Sequence, residues 1–510
     1  MSGIVLSAAV RQNLLSLQST AALLATTQNN LATGNKVNTA LDNPTEFFTA
    51  QGLNNRASDI GNLLDSIGNG VQVLQAANTG ITSLSALVAN AKSIANQVLQ
   101  SPVGYLTKSN VTSAAIPGAT ANNLLGPNAN NTVTGTVVTG AASTGTLLTA
   151  ITSAIANTDN LVIDGKTITF ATGGGNTFTA NGETLDLTTA TVSDLLTAVD
   201  SITGATTPST LAGTKLTLST GTTTPLVIGG LAATLTKLGL TAGTTALTPP
   251  ALQGQTLTIG ATGGGTATNV TFGTGAGQIS TLNALNTALA ANNLQASIST
   301  TGTINIVTSN DAASSTIGTI GGTATPFSGL TAAAPTADPT SQATRSSLVA
   351  QYNNVLQQLN TTAQDSSFNG INLLNGDTLK LTFNETGKST LSITGVTFND
   401  AGLSLSTLTV GTDFLDNSSA NTVLSSLNAA STTLRGEASS LGSNLSIVQI
   451  RQDFNKNLIN VLQTGSSNLT LADTNQEAAN SQALSTRQSI AVSALALANQ
   501  SQQSVLQLLR

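Results

Sequence analysis

Apolar residues recur every three or four positions along four long stretches of this 510-residue chain. The first stretch keeps Val10, Leu14, Leu17, Ala21, Leu24 and Leu31 in one line, with Gln28 in register. The second runs Ile60, Leu64, Ile67, Val71, Leu74, Ile81, Val88, Ala95 and Leu99, interrupted by Asn78, Ser85 and Lys92. The third holds Leu424, Leu427, Leu434, Ala438, Leu441, Leu445, Val448, Ile459 and Leu462, and the fourth Leu484, Ala491, Leu495, Ala498, Val505 and Leu509. This spacing predicts amphipathic helices, and its persistence over many turns predicts coiled-coil packing. At 1.5 Å per residue, the longer helices would reach roughly 60 Å.

Charges normally flank such seams at e and g positions. Here Ala, Ser, Gln, Asn and Thr stand there. The fourth stretch also carries a second apolar line, Ile490, Leu497 and Leu508. A helix with two apolar lines and almost no charge expects neighbours on more than one side. An ordinary buried core helix is the plain alternative for one such segment. Two of them, near opposite ends of the chain, favour contact between subunits.

Between the helical segments the period changes. The first helix should break near "ALDNPTEFF", where Asp42 or Asn43 can cap a new helix and Pro44 suits its first position. The last two helices are separated by "QTGSSNLTLAD", with Gly465 as the expected stop. Alternation at Leu379, Leu381 and Phe383, then Leu391 and Ile393, predicts a β-hairpin turning at Gly387. Residues 111–340 are dominated by Thr, Gly and Ala. They contain what reads as a duplicated hairpin–helix–strand unit: "LVIDGKTITFA", "TVSDLLTAVDSI" and "TKLTLST", then "LTIGATGGGTATNVTFG", "ISTLNALNTALAANN" and "TINIVTS". The Thr/Gly-rich stretches around 115–150 and 240–255 read as exposed loops or linkers. The expected fold class is therefore α+β and multidomain: a long helical bundle from both chain termini with a β-hairpin, plus an inserted β-rich α+β region.

Composition narrows the chemistry. Charged residues make up 7% of the chain, against roughly 25% in an average soluble protein. Sixteen basic and 22 acidic residues give a net charge of −6, with no basic stripe for phosphate, so no nucleic acid is expected. Histidine and cysteine are both absent, which removes Ser-His-Asp and Cys-His catalysis, zinc sites and disulfides. "GGGNTF" and "GATGGGTATN" lack the partners of a phosphate loop and fit hairpin turns. Asp159 and Asp164 flank "NLVI" without the further oxygen ligands of a calcium loop and read as turn formers. No enzyme, cofactor or metal is expected. The most apolar helical run, Ile490 to Ala498, is far short of the about 20 residues that span a bilayer, so no membrane span is expected. "IVLSAAV" has no preceding basic region, so no cleaved leader is expected.

The residues themselves resemble bacterial flagellin. "NNLATGNKVNTALDNPTEFFTAQGL" is similar to the family's Leu-x-x-Gly turn and Asn-Ser-Ala-x-Asp bend, with Leu31, Gly34, Asn38, Ala40 and Asp42 at those positions; Thr39, Asn43 and Pro44 depart mildly. "DSSFNGINLL" is similar to the segment leading into the family's hairpin, and "LANQSQQSVLQLLR" to its terminus. The resemblance covers about half the chain and leaves the insert unassigned.

It implies a structural subunit that polymerises into the flagellar filament, a homopolymer outside the cell. Residues 1–42 and 466–510 would form the inner tube, D0. Residues 43–110 and 341–465 would form the outer tube, D1, and 111–340 would project as D2 and D3. Val10, Leu14, Leu17, Leu24, Leu31, Leu484, Ala491, Leu495, Ala498, Val505 and Leu509 would carry subunit packing. Export through the flagellum's own channel, an export chaperone, and cap and hook-junction proteins are implied as well. Val88 to Ala95, "VANAKSIA", stands where many flagellins carry a stretch recognised by a Toll-like receptor, with Asn90 and Ser93 in place of charged residues. A hook–filament junction protein and a secreted Thr-rich adhesin remain the alternatives.

Overall fold

The structure, a computed structural model, describes residues 8–141, 143–179 and 182–508, without the side chains of 505–508. Eight α-helices follow in chain order: α1 (Ala8–Thr33), α2 (Pro44–Gln100), α3 (Val192–Thr203), α4 (Ala232–Lys237), α5 (Leu282–Ala290), α6 (Pro339–Asp365), α7 (Asn417–Thr470) and α8 (Thr474–Leu508). The chain divides into two compact units. One is Met1–Ser93, Tyr352–Thr407 and Leu424–Arg510; the other is Ile94–Gln351 and Leu408–Val423.

The first unit is built on paired long helices. Ile60, Ile67, Val71, Leu74, Ile81 and Val88 of α2 are buried as their spacing predicts. So are Ala57, Val73, Ala77, Leu84 and Ala91, so the buried face is wider than a two-stranded seam and serves several neighbours. Near the start of α2, Ala57 and Ile60 pack on Leu462 of α7, flanked by Leu53, Leu458 and Ile459. Asn43 Oδ1 accepts from the Glu46 amide at 3.1 Å, which makes Asn43 the N-cap of α2 and leaves Asp42 to the loop. The hairpin is Thr378–Thr382 against Thr390–Thr394, with Leu379 opposite Ile393 and Leu381 opposite Leu391. Its apolar face is buried, and Asn455 of α7 donates to the Phe383 carbonyl at 2.9 Å.

Gly465 does not stop its helix. α7 continues to Thr470, because Gly465 faces Leu53 across a close helix–helix approach and Ser466 Oγ donates to the Ala50 carbonyl at 3.2 Å. Packing against α2 holds a glycine that local propensity alone would place at a terminus. The break comes at 471–473, where Asp473 Oδ1 accepts from the amides of Asn475 and Gln476 and starts α8.

The second unit contains two hydrophobic cores. One gathers Leu161, Ile163, Ile168, Phe170, Leu185, Leu195, Val199, Leu216, Leu218 and Ile228. Its larger sheet has the strand order Gly243–Thr245, Leu226–Gly230, Asn160–Ile163, Lys166–Ala171, Gly182–Asp186, Thr177–Thr179. α3 covers it, opened by a capping box between Thr191 and Asp194. The other core gathers Val111, Ile116, Leu124, Leu257, Phe272, Leu285, Ile304, Ile306 and Phe327.

The chain contributes to this second core both before and after it builds the first. One body is therefore nested in the other, and the two connections meet where Ala129 bridges Thr248. The stretches expected as loops are structural. Ile116, Leu124, Leu125, Val138, Ala141 and Leu148 are buried, as are Leu240 and Leu252, and 132–137 forms a strand. Sparse apolar residues in a Thr/Gly background suffice here, because each strand turns only alternate positions inward.

Candidate assembly interface

α1 and α8 lie against each other. Val10 is buried, Leu17 and Leu24 are half-buried, and Leu14 and Leu31 stay exposed. On α8, Leu484, Ala491, Leu495 and Ala498 are half-buried. The side chain of Val505 and the whole of Leu509 lie outside the described residues. Thr20, Thr27 and Asn30 are buried on α1, so its seam runs through polar positions and is turned slightly from the apolar line. The heptad spacing of Thr20 and Thr27 was the available signal. Small hydroxyls can close a helix pair where leucines are too bulky to sit on both sides.

The outer faces remain apolar. Ile490 is 63% exposed and Leu497 67%, and Val492, Leu15 and Leu23 are exposed as well. The second apolar line of the last helix is therefore unpartnered within one chain at the two described positions. α1 contains one charge, Arg11, and α8 contains two, Glu477 and Arg487.

Two connections leave this helix pair, and they are tied together. Gly34 takes a left-handed conformation (φ 73°) that ends α1. The Lys36 amide then donates to the Thr470 carbonyl at 2.7 Å, and the Ala472 amide to the Gly34 carbonyl at 2.9 Å. Asn38 Nδ2 donates to the Asn35 carbonyl at 3.0 Å and to Asn30 Oδ1 at 3.4 Å, while Asn30 Nδ2 donates to Glu477 Oε1 at 3.4 Å. Asp42 Oδ2 accepts from the amides of Thr39 (2.7 Å) and Asn38 (2.9 Å), and these hold its carboxyl below the ordinary range. The Leu-x-x-Gly turn and the Asn…Asp bend are thus a hydrogen-bonded joint.

The glycine runs and acidic residues of the insert have internal roles. Gly173 and Gly175 amides donate to Asp186, which also accepts from the Thr188 hydroxyl and amide and sits well below the usual carboxylate range. Asp164 Oδ1 accepts from the Val227 amide. Asp159 is more than a turn former. Burial pushes its carboxyl up, but Lys237 Nζ at 2.6 Å, the Ala156 amide and the Thr234 hydroxyl together hold it down. Among the described residues no group of three or more acidic side chains could hold a metal ion, and no helix is long and apolar enough to cross a membrane.

Residues 5–114 match the bacterial flagellin N-terminal helical region, and residues 424–509 the bacterial flagellin C-terminal helical region. The chain is similar to Flagellin FljM of Caulobacter vibrioides, 32% identical over 165 residues, covering 32% of this chain and 59% of that one. Flagellin FljK of the same organism gives the same identity and coverage. Flagellin A of Rhizobium meliloti is 36% identical over 88 residues, 17% of this chain and 22% of that one. The chain thus spans about 59% of the length of the curated relatives it matches first. The two helical ends of the chain, residues 5–114 and 424–509, thus match the two helical regions of bacterial flagellin, and the joint described above lies within them.

Proposed function

We propose that the chain is the structural subunit of a bacterial flagellar filament, used for swimming and assembled outside the cell. The observation that carries this reading is the outward apolar line of α8. Ile490 and Leu497 are exposed while the opposite face packs on α1. Burying each such side chain is worth about 1.5–3 kcal/mol, and a neighbouring copy offers the same kind of surface. α1 and α8 then form the inner tube, α2, α6, α7 and the hairpin the outer tube, and the two nested bodies the outermost region. The scarcity of charge on α1 and α8 fits a tube interior, where an unpaired charge would be desolvated at a cost of several kcal/mol. Beyond copies of itself, an export chaperone and cap and hook-junction proteins are the partners this role requires.

Elongation of filament seeds tests the reading. Full-length protein should elongate them, and protein lacking 484–510 should not. Leu497→Gln should leave the monomer's helical content unchanged and raise the critical concentration about tenfold, since 1.4 kcal/mol is a factor of ten. A folded full-length chain that never elongates seeds would sink the proposal.

A further inference from the structure

The middle of α7 carries an apolar ridge that stays exposed among the described residues. Ile450 and Val461 are each 66% exposed and Phe454 is 55% exposed, with Ile447 beside them. Their spacing of three, four and seven residues places them on one stripe of the helix. Four large apolar side chains in a row make a contiguous patch of the kind that marks an interaction site.

The same unit contains a groove of about 350 Å³. Leu63, Ser66, Asn69 and Val73 of α2 form one wall, and Ile371 and Lys380 contribute to the other. The groove's shape depends on Gly70, where a Cβ would collide with Leu381 of the hairpin.

We propose that this groove receives the α7 ridge of a second copy of the chain. The inference rests on the filament reading and names one of its contacts. From Leu63 to Val73 the wall rises about 15 Å, at 1.5 Å per residue, which accommodates the about 10 Å from Ile447 to Phe454 and leaves Val461 beyond the groove. Charges agree. Lys380 is the one charged residue lining the groove. Asp453, next to Phe454, has a side chain that is 70% exposed and forms an ion pair with Lys456 at 3.6 Å. The ridge and the groove are different surfaces, and within a filament the contact runs head-to-tail. Such a contact repeats from copy to copy instead of closing a two-fold dimer, and it generates an open helical assembly.

The absence of cysteine makes the test clean. Ile450→Cys and Asn69→Cys, each an exposed position, are prepared as separate proteins and polymerised together on seeds. A short bifunctional maleimide should produce a covalent dimer in mixed filaments and none in filaments of either variant alone. In parallel, Lys380→Asp and Asp453→Lys should each raise the critical concentration several-fold, and the two changes in one chain should restore it. Mixed filaments without the dimer, or a double variant no better than the singles, overturn this contact and leave the filament reading standing. Wild-type protein that does not elongate seeds overturns both.

Discussion

Arg345 Nη2 donates to the main-chain carbonyl of Val98 at 3.0 Å, across 247 positions of sequence. The same guanidinium reaches the carbonyls of Ser101 (3.0 Å), Pro102 (2.7 Å) and Phe414 (2.6 Å) and the side chain of Asn417 (3.0 Å). It is fully buried. Burial pushes its pKa down from the ordinary value, and the charge of Asp416 pulls it back up. One side chain therefore caps the C-terminal end of α2 and holds the loop before α7.

Arg345→Met should destabilise this unit by on the order of 3 kcal/mol or more, because several buried carbonyls lose their donor at once. Arg345→Lys should recover little, since an ammonium cannot span the planar fork. Scanning calorimetry of the monomer checks both. A melting transition unchanged in the Met variant would remove Arg345 from this role.

Gly80 makes a second test of close packing. A Cβ there would collide with Ser366 and stand 2.6 Å from Leu374 Cδ1. Gly52, on the same helix, has open space around its Cβ position. Gly80→Ala should therefore destabilise the monomer despite alanine's better helix propensity. Gly52→Ala should stabilise it by up to about 1 kcal/mol. Urea midpoints of the two variants should move in opposite directions.

Glu183 predicts a pH dependence. Its side chain is buried, and neither carboxylate oxygen makes a well-aligned hydrogen bond among the described residues. Burial raises its pKa, and the opposing pulls of Ser201 and Lys166 only partly offset this. The folded state thus binds the proton more tightly than the unfolded chain does. Its stabilising contribution is present below the unfolded value, about 4.3, and is lost as pH rises through the raised folded value. Glu183→Gln should melt higher than wild type at pH 7, and the gap should close at pH 3.5. An equal gap at both pH values would show that packing, and not titration, accounts for the difference.

The connections to the insert predict where it can be cut. Tyr105–Thr107 pairs antiparallel with Thr336–Ala337, with Thr107 opposite Thr336. The two connections are neighbouring strands of one small ribbon. Replacing 109–334 with a short Gly/Ser turn should leave α1, α2, α6, α7 and α8 folded, with unchanged mean helicity per helical residue by circular dichroism. Filaments of this variant should be thinner in electron micrographs and keep the wild-type lattice. A variant that aggregates on refolding would assign the insert a part in folding the helices.

The helices and the hairpin were legible because their signals are local. Leu379, Leu381 and Phe383 alternate, and alternation alone assigns the buried face. The N-cap at Asn43 and the Pro44 start are likewise readable from a few adjacent residues. Gly34, Asn38 and Asp42 stood out through their resemblance to the flagellin turn and bend, before their joint was visible.

What the sequence by itself determined is periodicity: which stretches are helix, which alternate as strands, and that α8 carries two apolar lines. Tertiary structure alone decided the partners. Thr20, Thr27 and Asn30, not Leu14 and Leu31, lie in the α1 seam, because the facing helix selects one narrow stripe from a broader apolar surface. Gly465 stays helical because Leu53 and Ala50 lie across from it. The nesting of the two cores and the Arg345 cluster depend on residues more than 100 positions apart. A local pattern records which face of an element is buried; it holds no record of the chain segment, hundreds of residues away, that covers it.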